Sequence, residues 1–126
     1  MAVHVLLVEN EDYVRSELRE GLEYRGLQVT TARDGMEGLS KLETTKPDVI
    51  VLNMSLPDLN GWEVLQMIKA DQNVNDIPVV AMAATMNMAD EVRASNLGCG
   101  DFMTKPVLPA DLASHVMRAL ERRHTI

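Results

Sequence analysis

Five short apolar runs alternate along the chain with five stretches in which apolar residues recur at helical spacing. The runs Val3 to Val8, Leu27 to Ala32, Val49 to Asn53, Val79 to Ala83 and a short one around Phe102 to Thr104 predict strands. Between them, Val14, Leu18 and Leu22 make one face of a first helix, Met36, Leu39 and Leu42 of a second, and Val64, Leu65 and Ile68 of a third. Leu112, Val116 and Leu120 mark the last. The fourth helix, roughly Ala89 to Leu97, has the faintest pattern, with Val92 and Leu97 its only large apolar residues after Met88; Gly98 follows as a C-terminal stop. Strands and helices in regular alternation predict an α/β architecture around a parallel sheet, and no linker, repeat or low-complexity tract interrupts it.

The strand patterns also predict the order of the sheet. Strands buried on both faces read as continuous apolar runs, and edge strands carry polar positions. The first, third and fourth runs are continuous; the second alternates through Gln28, Thr30 and Thr31, and the fifth is short and mixed. The predicted order is therefore 2-1-3-4-5. With right-handed crossovers the winding reverses between strands one and three, and ligands bind at the carboxyl ends of the strands flanking such a switch point. Those ends are Glu9-Asn10 and Asn53, with Ala83 and Lys105 ending the neighbouring strands four and five.

Composition narrows the function. A chain of 126 residues, 46% hydrophobic, suits a single domain (1-126) with a real core. The formal net charge of −7 disfavours nucleic acid and anionic membrane as direct partners, which leaves a protein partner. A single cysteine, Cys99, excludes an internal disulfide, and no stretch reads as a signal peptide or membrane span, so the cytoplasm is the default compartment.

The Glu9-Asn10 pair after the first run, Asn53 closing Val49-Ile50-Val51-Leu52 ahead of the turn Met54 to Gly61, and Lys105-Pro106 after the last run together resemble the receiver domain of two-component response regulators, over essentially the whole chain. The resemblance implies the flavodoxin-like, CheY-like doubly wound fold with five helices. It also implies an aspartate at the Asn53 position that accepts a phosphoryl group from a histidine kinase. An acidic pair at Glu9 and Asn10 would bind magnesium with that aspartate, a hydroxyl at the Ala83 position and the lysine at Lys105 would hold the phosphoryl group, and an aromatic at Phe102 would relay the switch. A cis peptide before Pro106 belongs to the same pattern. Here the acceptor is an amide, the second member of the acidic pair is Asn10, and the hydroxyl is missing. Only Glu9 and Lys105 keep their chemical character. Thr85 falls in the loop beyond strand four, too late to replace Ala83.

Two of three carboxylates exchanged for neutral amides predict no useful magnesium affinity, because hard cations prefer charged oxygens. Glu9 and Lys105 sum to zero and are expected to pair directly. The leading expectation is a pseudo-receiver: a signalling module, not an enzyme and without a cofactor. It would act without phosphorylation, touching a sensor kinase, an output domain or a second copy through the face of helix four, strand five and helix five. The alternative is phosphorylation at a non-standard acceptor, Ser55 or Asp58. A flavin or nucleotide site would need a phosphate-cradling loop after strand one, where Glu9-Asn10-Glu11-Asp12-Tyr13 offers no glycine and much negative charge.

Several residues have simpler readings. Asn53 suits a strand-end turn. Glu11 and Asp12 are helix N-terminal acids, His4 has no metal-spaced partner, and the methionines fill core, with Met86 and Met88 lending adaptability to a contact surface. Arg118, Glu121, Arg122 and Arg123 read by default as a solvated helix face, with a dimer contact or the approach to an output domain as the alternatives.

Overall fold

A computed structural model describes residues 2–124. The chain runs β1 (His4–Val8), α1 (Asp12–Tyr24), β2 (Gln28–Ala32), α2 (Gly35–Thr45), β3 (Val49–Asn53), α3 (Gly61–Ala70), β4 (Val79–Ala83), α4 (Met88–Asn96), β5 (Asp101–Thr104) and α5 (Pro109–His124). All five strands are parallel, in the order β2-β1-β3-β4-β5. The two strands with polar positions are the edges, as their patterns required, and β3 and β4 are buried at every residue.

Alternate strand residues feed two cores, one on each face of the sheet. Val5, Leu7, Val49, Val51, Val80 and Met82 pack under α1 and α5, against Leu18, Leu22, Leu112 and Val116. Leu6, Val8, Ile50, Leu52, Val79 and Ala81 face α2, α3 and α4, against Leu42, Val64, Leu65, Ile68 and Ala94. A sheet covered on both sides explains why the central strands are apolar throughout.

Helix ends follow from local chemistry. Asp34, Asn60 and Asn87 accept the N–H of the residue three positions on, and Asn87 forms a full capping box with Asp90. Gly98 ends α4 with φ +88°, and the Gly98 and Cys99 N–H groups return to Ser95 and Ala94. That left-handed turn is the stop the glycine predicted.

One helix face differs from the sequence expectation. Met36 is 61% exposed; α2 instead buries Gly35, Gly38 and Leu42. The helix lies so close to the sheet that a Cβ on Gly38 would sit 3.0 Å from a Val8 methyl, leaving no room for a long side chain on that line. Val92 is exposed as well, and α4 buries Ala94, while Arg93 lies 4.4 Å over the Trp62 ring of α3. The end of α5 is tied down rather than merely solvated. Arg122 donates to the Gly100 carbonyl, and Arg123 reaches the Asp48 carbonyl at 3.3 Å and the Asp76 carboxylate at 3.0 Å.

Candidate functional site

The carboxyl ends of β1, β3, β4 and β5 converge on one polar cluster. Ladder hydrogen bonds continue just past the strands, from Glu9 N–H to Ala32 O, Met54 N–H to Met82 O and Lys105 N–H to Ala83 O, so backbone pairing places each of these ends. Glu9 is fully buried. Its Oε1 accepts from Lys105 Nζ at 2.9 Å, and its Oε2 accepts from the Glu11 N–H at 2.9 Å and from Asn53 Nδ2 at 3.3 Å. The expected Glu9–Lys105 pair is therefore present, joining residues 96 apart in sequence.

Asn53 is 1% exposed and uses both ends of its amide. Oδ1 accepts from the Ser55 N–H at 3.0 Å, the strand-end turn that asparagine favours. Nδ2 faces Asn10 Oδ1 at 2.8 Å, the Ser55 carbonyl at 3.2 Å and Glu9 Oε2. The reverse amide orientation would aim Oδ1 at three oxygens and the NH₂ at a backbone N–H, so the network itself fixes the assignment. Among the described residues no buried side-chain nitrogen or oxygen lacks a partner.

The remaining predicted positions fall where the topology puts them. Ala83 ends β4, buried; Phe102 lies half-buried in β5 against the core under α4; Thr85 is in the exposed loop; and the Lys105-Pro106 peptide is cis. His4 is satisfied by Thr30 Oγ1 at 2.7 Å. Glu11 occupies the N-cap of α1 without a side-chain cap, and Asp12 pairs with Arg15. Among the described residues, no group of three or more His, Cys, Asp or Glu side chains is placed to hold a metal ion, and no helix is long and apolar enough to cross a membrane.

Three arrangements carry no signal in the sequence. Asp58 spreads its two oxygens over the N–H groups of Gly35 and Met36, both at 2.9 Å, and so caps α2 from the loop after β3. Desolvation pushes its carboxyl up, but the N–H groups of Gly35, Met36, Leu59 and Asp58 itself outweigh that, and the net direction is down. Arg15 donates to the Glu9 carbonyl at 3.0 Å and closes the turn carrying the acidic pair. Asp101 on β5 meets His115 Nδ1 of α5 at 2.6 Å. Close approach is required once more at Gly61, where a Cβ would lie 2.3 Å from Met54 Cα and 2.8 Å from the Asn53 carbonyl.

Residues 5–117 match the family model of the response regulator receiver domain. The chain is 36% identical over 119 residues to the transcriptional regulatory protein PrrA of Mycobacterium leprae, covering 94% of this chain and 50% of PrrA. It is 37% identical over 118 residues to the alkaline phosphatase synthesis transcriptional regulatory protein PhoP of Bacillus subtilis, covering 94% and 48%. It thus spans about half the length of these curated relatives. Among solved structures, the signal receiver domain of a signal transduction histidine kinase from Syntrophus aciditrophicus superposes with a TM-score of 0.87 at 31% identity, over 99% of this chain and 95% of that one. The sheet order, the convergence of four strand ends and the match over residues 5–117 lead to one conclusion: the chain belongs to the response regulator receiver domain family.

Proposed function

We propose that this receiver domain is a signalling module with a neutralised acceptor site, which works through protein contacts without being phosphorylated. One observation carries the proposal. At the end of β3, the position of the family's acceptor, the side chain is a buried carboxamide hydrogen-bonded at both ends. An amide offers no nucleophilic carboxylate oxygen, and phosphoryl transfer needs one, together with charge that compensates the phosphoryl oxygens. Ala83 offers no hydroxyl to hold such a group, and the Lys105 ammonium is already held by Glu9. Phosphorylation at Asp58 is disfavoured, since both of its oxygens cap α2.

The contact surface we assign is the face of α4, β5 and α5. It combines an edge strand with exposed apolar residues on α4 and in the loop before α5: Met88 and Val92 one helical turn apart, and Leu108. The partner would be a sensor kinase, an output domain or a second copy of the chain. The test is intact-mass spectrometry after incubation with acetyl phosphate and magnesium, beside a variant carrying Asn10→Asp, Asn53→Asp and Ala83→Thr. The unmodified mass should persist in the natural protein while the variant gains a phosphoryl group. A stable phosphoryl adduct on the natural chain, at Ser55 or elsewhere, would sink the proposal.

A further inference from the structure

Asn53 Nδ2 carries two hydrogens and is surrounded by three oxygens within 3.3 Å: a side-chain amide oxygen of Asn10, the backbone carbonyl of Ser55 and a carboxylate oxygen of Glu9. These are the donor types that hard divalent cations select. Their charge is not what such a cation needs, because the one carboxylate is already neutralised by Lys105 at 2.9 Å. The residues present do not fit magnesium, and their convergence on a nitrogen indicates what has replaced it. We infer that the Asn53 carboxamide is a built-in surrogate for the divalent cation of this pocket: its NH₂ group sits among the oxygens a cation would bridge and closes the site against a free ion. This inference rests on reading the pocket as a neutralised receiver site.

The geometry gives the surrogate its selectivity. Admitting a cation would require the Asn53 side chain to rotate out, which abandons the contacts of Nδ2 and also the Ser55 N–H bond to Oδ1. Asn53 and Glu9 are both buried, so water would not compensate the lost bonds. A neutral pocket offers a divalent ion little in return. The amide thus supplies the attraction that holds the turns after β1 and β3 together, a task a bound cation would otherwise perform, and supplies it at all cation concentrations.

Asn53→Asp tests this directly. The carboxylate keeps the Ser55 N–H contact but turns an oxygen toward the Ser55 carbonyl and Glu9 Oε2, where no donor remains, and toward Asn10, whose amide must flip to offer one. Thermal unfolding of the full chain would be followed in EDTA and in millimolar magnesium chloride. The natural protein should show the same midpoint in both. Asn53→Asp should unfold on the order of 5–10 °C lower in EDTA and recover most of that in magnesium, the behaviour of a site that has regained its need for a cation. A natural protein stabilised saturably by magnesium would overturn the inference, and so would an Asn53→Asp protein that matches it in EDTA and ignores the ion.

Should the variant not fold, the natural protein supplies a second readout. The Asn53 side-chain NH₂ resonances should exchange slowly with solvent and stay in place through a magnesium titration; fast exchange or saturable shifts there would overturn the surrogate. The two proposals fail separately. Magnesium binding without a phosphoryl adduct removes the surrogate alone, and an adduct in a magnesium-silent protein removes the phosphorylation-independent function alone.

Discussion

Replacing Lys105 by Met removes an ammonium and keeps most of the side chain's length, so it isolates the ionic part of the Glu9 contact. Glu9 is fully buried, and after the substitution its carboxylate keeps only the Glu11 N–H at 2.9 Å and the longer Asn53 contact at 3.3 Å. Removing one partner of a buried pair costs about 3–5 kcal/mol. The Lys105 side chain is 21% exposed, so water can reach Oε1 from that side, and about 2–3 kcal/mol is the expected loss. For a domain of this size that lowers the unfolding midpoint by about 10 °C. Chemical unfolding followed by circular dichroism at neutral pH measures it, and because Glu9 is fully buried and Lys105 only partly exposed, most of the loss should persist in high salt. The double variant Glu9→Gln, Lys105→Met removes the stranded charge as well and should regain at least half of the loss. A Lys105→Met protein within about 0.5 kcal/mol of the natural one, the range of an ordinary surface substitution, would refute the assignment. So would a double variant no more stable than the single one.

Asp58→Ala should destabilise by about 1 kcal/mol, the usual loss on removing a helix cap, with amide shifts concentrated at Gly35 and Met36. Because the folded carboxyl lies below its ordinary 3.8, the Asp58 contribution is fully present above that value and fades as the pH falls through the lower folded one; the natural protein and the variant should therefore converge only in strong acid. Gly61→Ala drives a Cβ into the Met54 backbone and should cost about 2–3 kcal/mol while disturbing the Asn53 and Ser55 amide signals, with an unchanged spectrum telling against the close approach. Burial pushes the Cys99 thiol up, against the weaker opposing pull of the Asp101 and Ala81 backbone and of Lys69, so iodoacetamide at pH 8 should label the folded protein at less than about one-hundredth of the unfolded rate.

What could be read from the chain depended on whether one element's own pattern carried the information. β3 and β4 have the predicted bounds because strands covered on both faces are apolar from end to end. The Glu9–Lys105 contact, distant in sequence, was legible because strand order alone brings those two strand ends together. The face of α2 was misjudged at Met36 because hydrophobic periodicity gives no weight to glycine, and here Gly35 and Gly38 make the contact. The faint pattern of α4 has a related cause: its buried residue is the small Ala94, and the larger Val92 faces out. Asp58 and the Asp101–His115 contact belong to pairs of elements whose relative placement no local pattern encodes. The arginines at the end of α5 reach the Gly100 and Asp48 carbonyls, which carry no side-chain signal, and Arg123 meets the distant Asp76 carboxylate through a placement of the same kind.

The pocket's charge balance connects the two proposals. A ligand can shift a two-state equilibrium only by the difference between its interactions with the two states, and moving a population from 1:99 to 99:1 takes about 5.5 kcal/mol. In a phosphorylated receiver that difference comes from new charge held by a cation, a hydroxyl and a lysine. On the reading proposed here the cation's place is held by Asn53, the hydroxyl is absent at Ala83, and Lys105 is committed to Glu9. No small phosphodonor would have a partner set through which to do that work. Any change at the α4, β5 and α5 face must then draw its free energy from the protein that docks there. Affinity for that partner should be indifferent to acetyl phosphate and magnesium, yet it should weaken when Met88 or Val92 is replaced by a charged residue. Titrating each candidate partner with and without the phosphodonor decides the matter: a partner whose affinity rises with it would show that the pocket still communicates with the face.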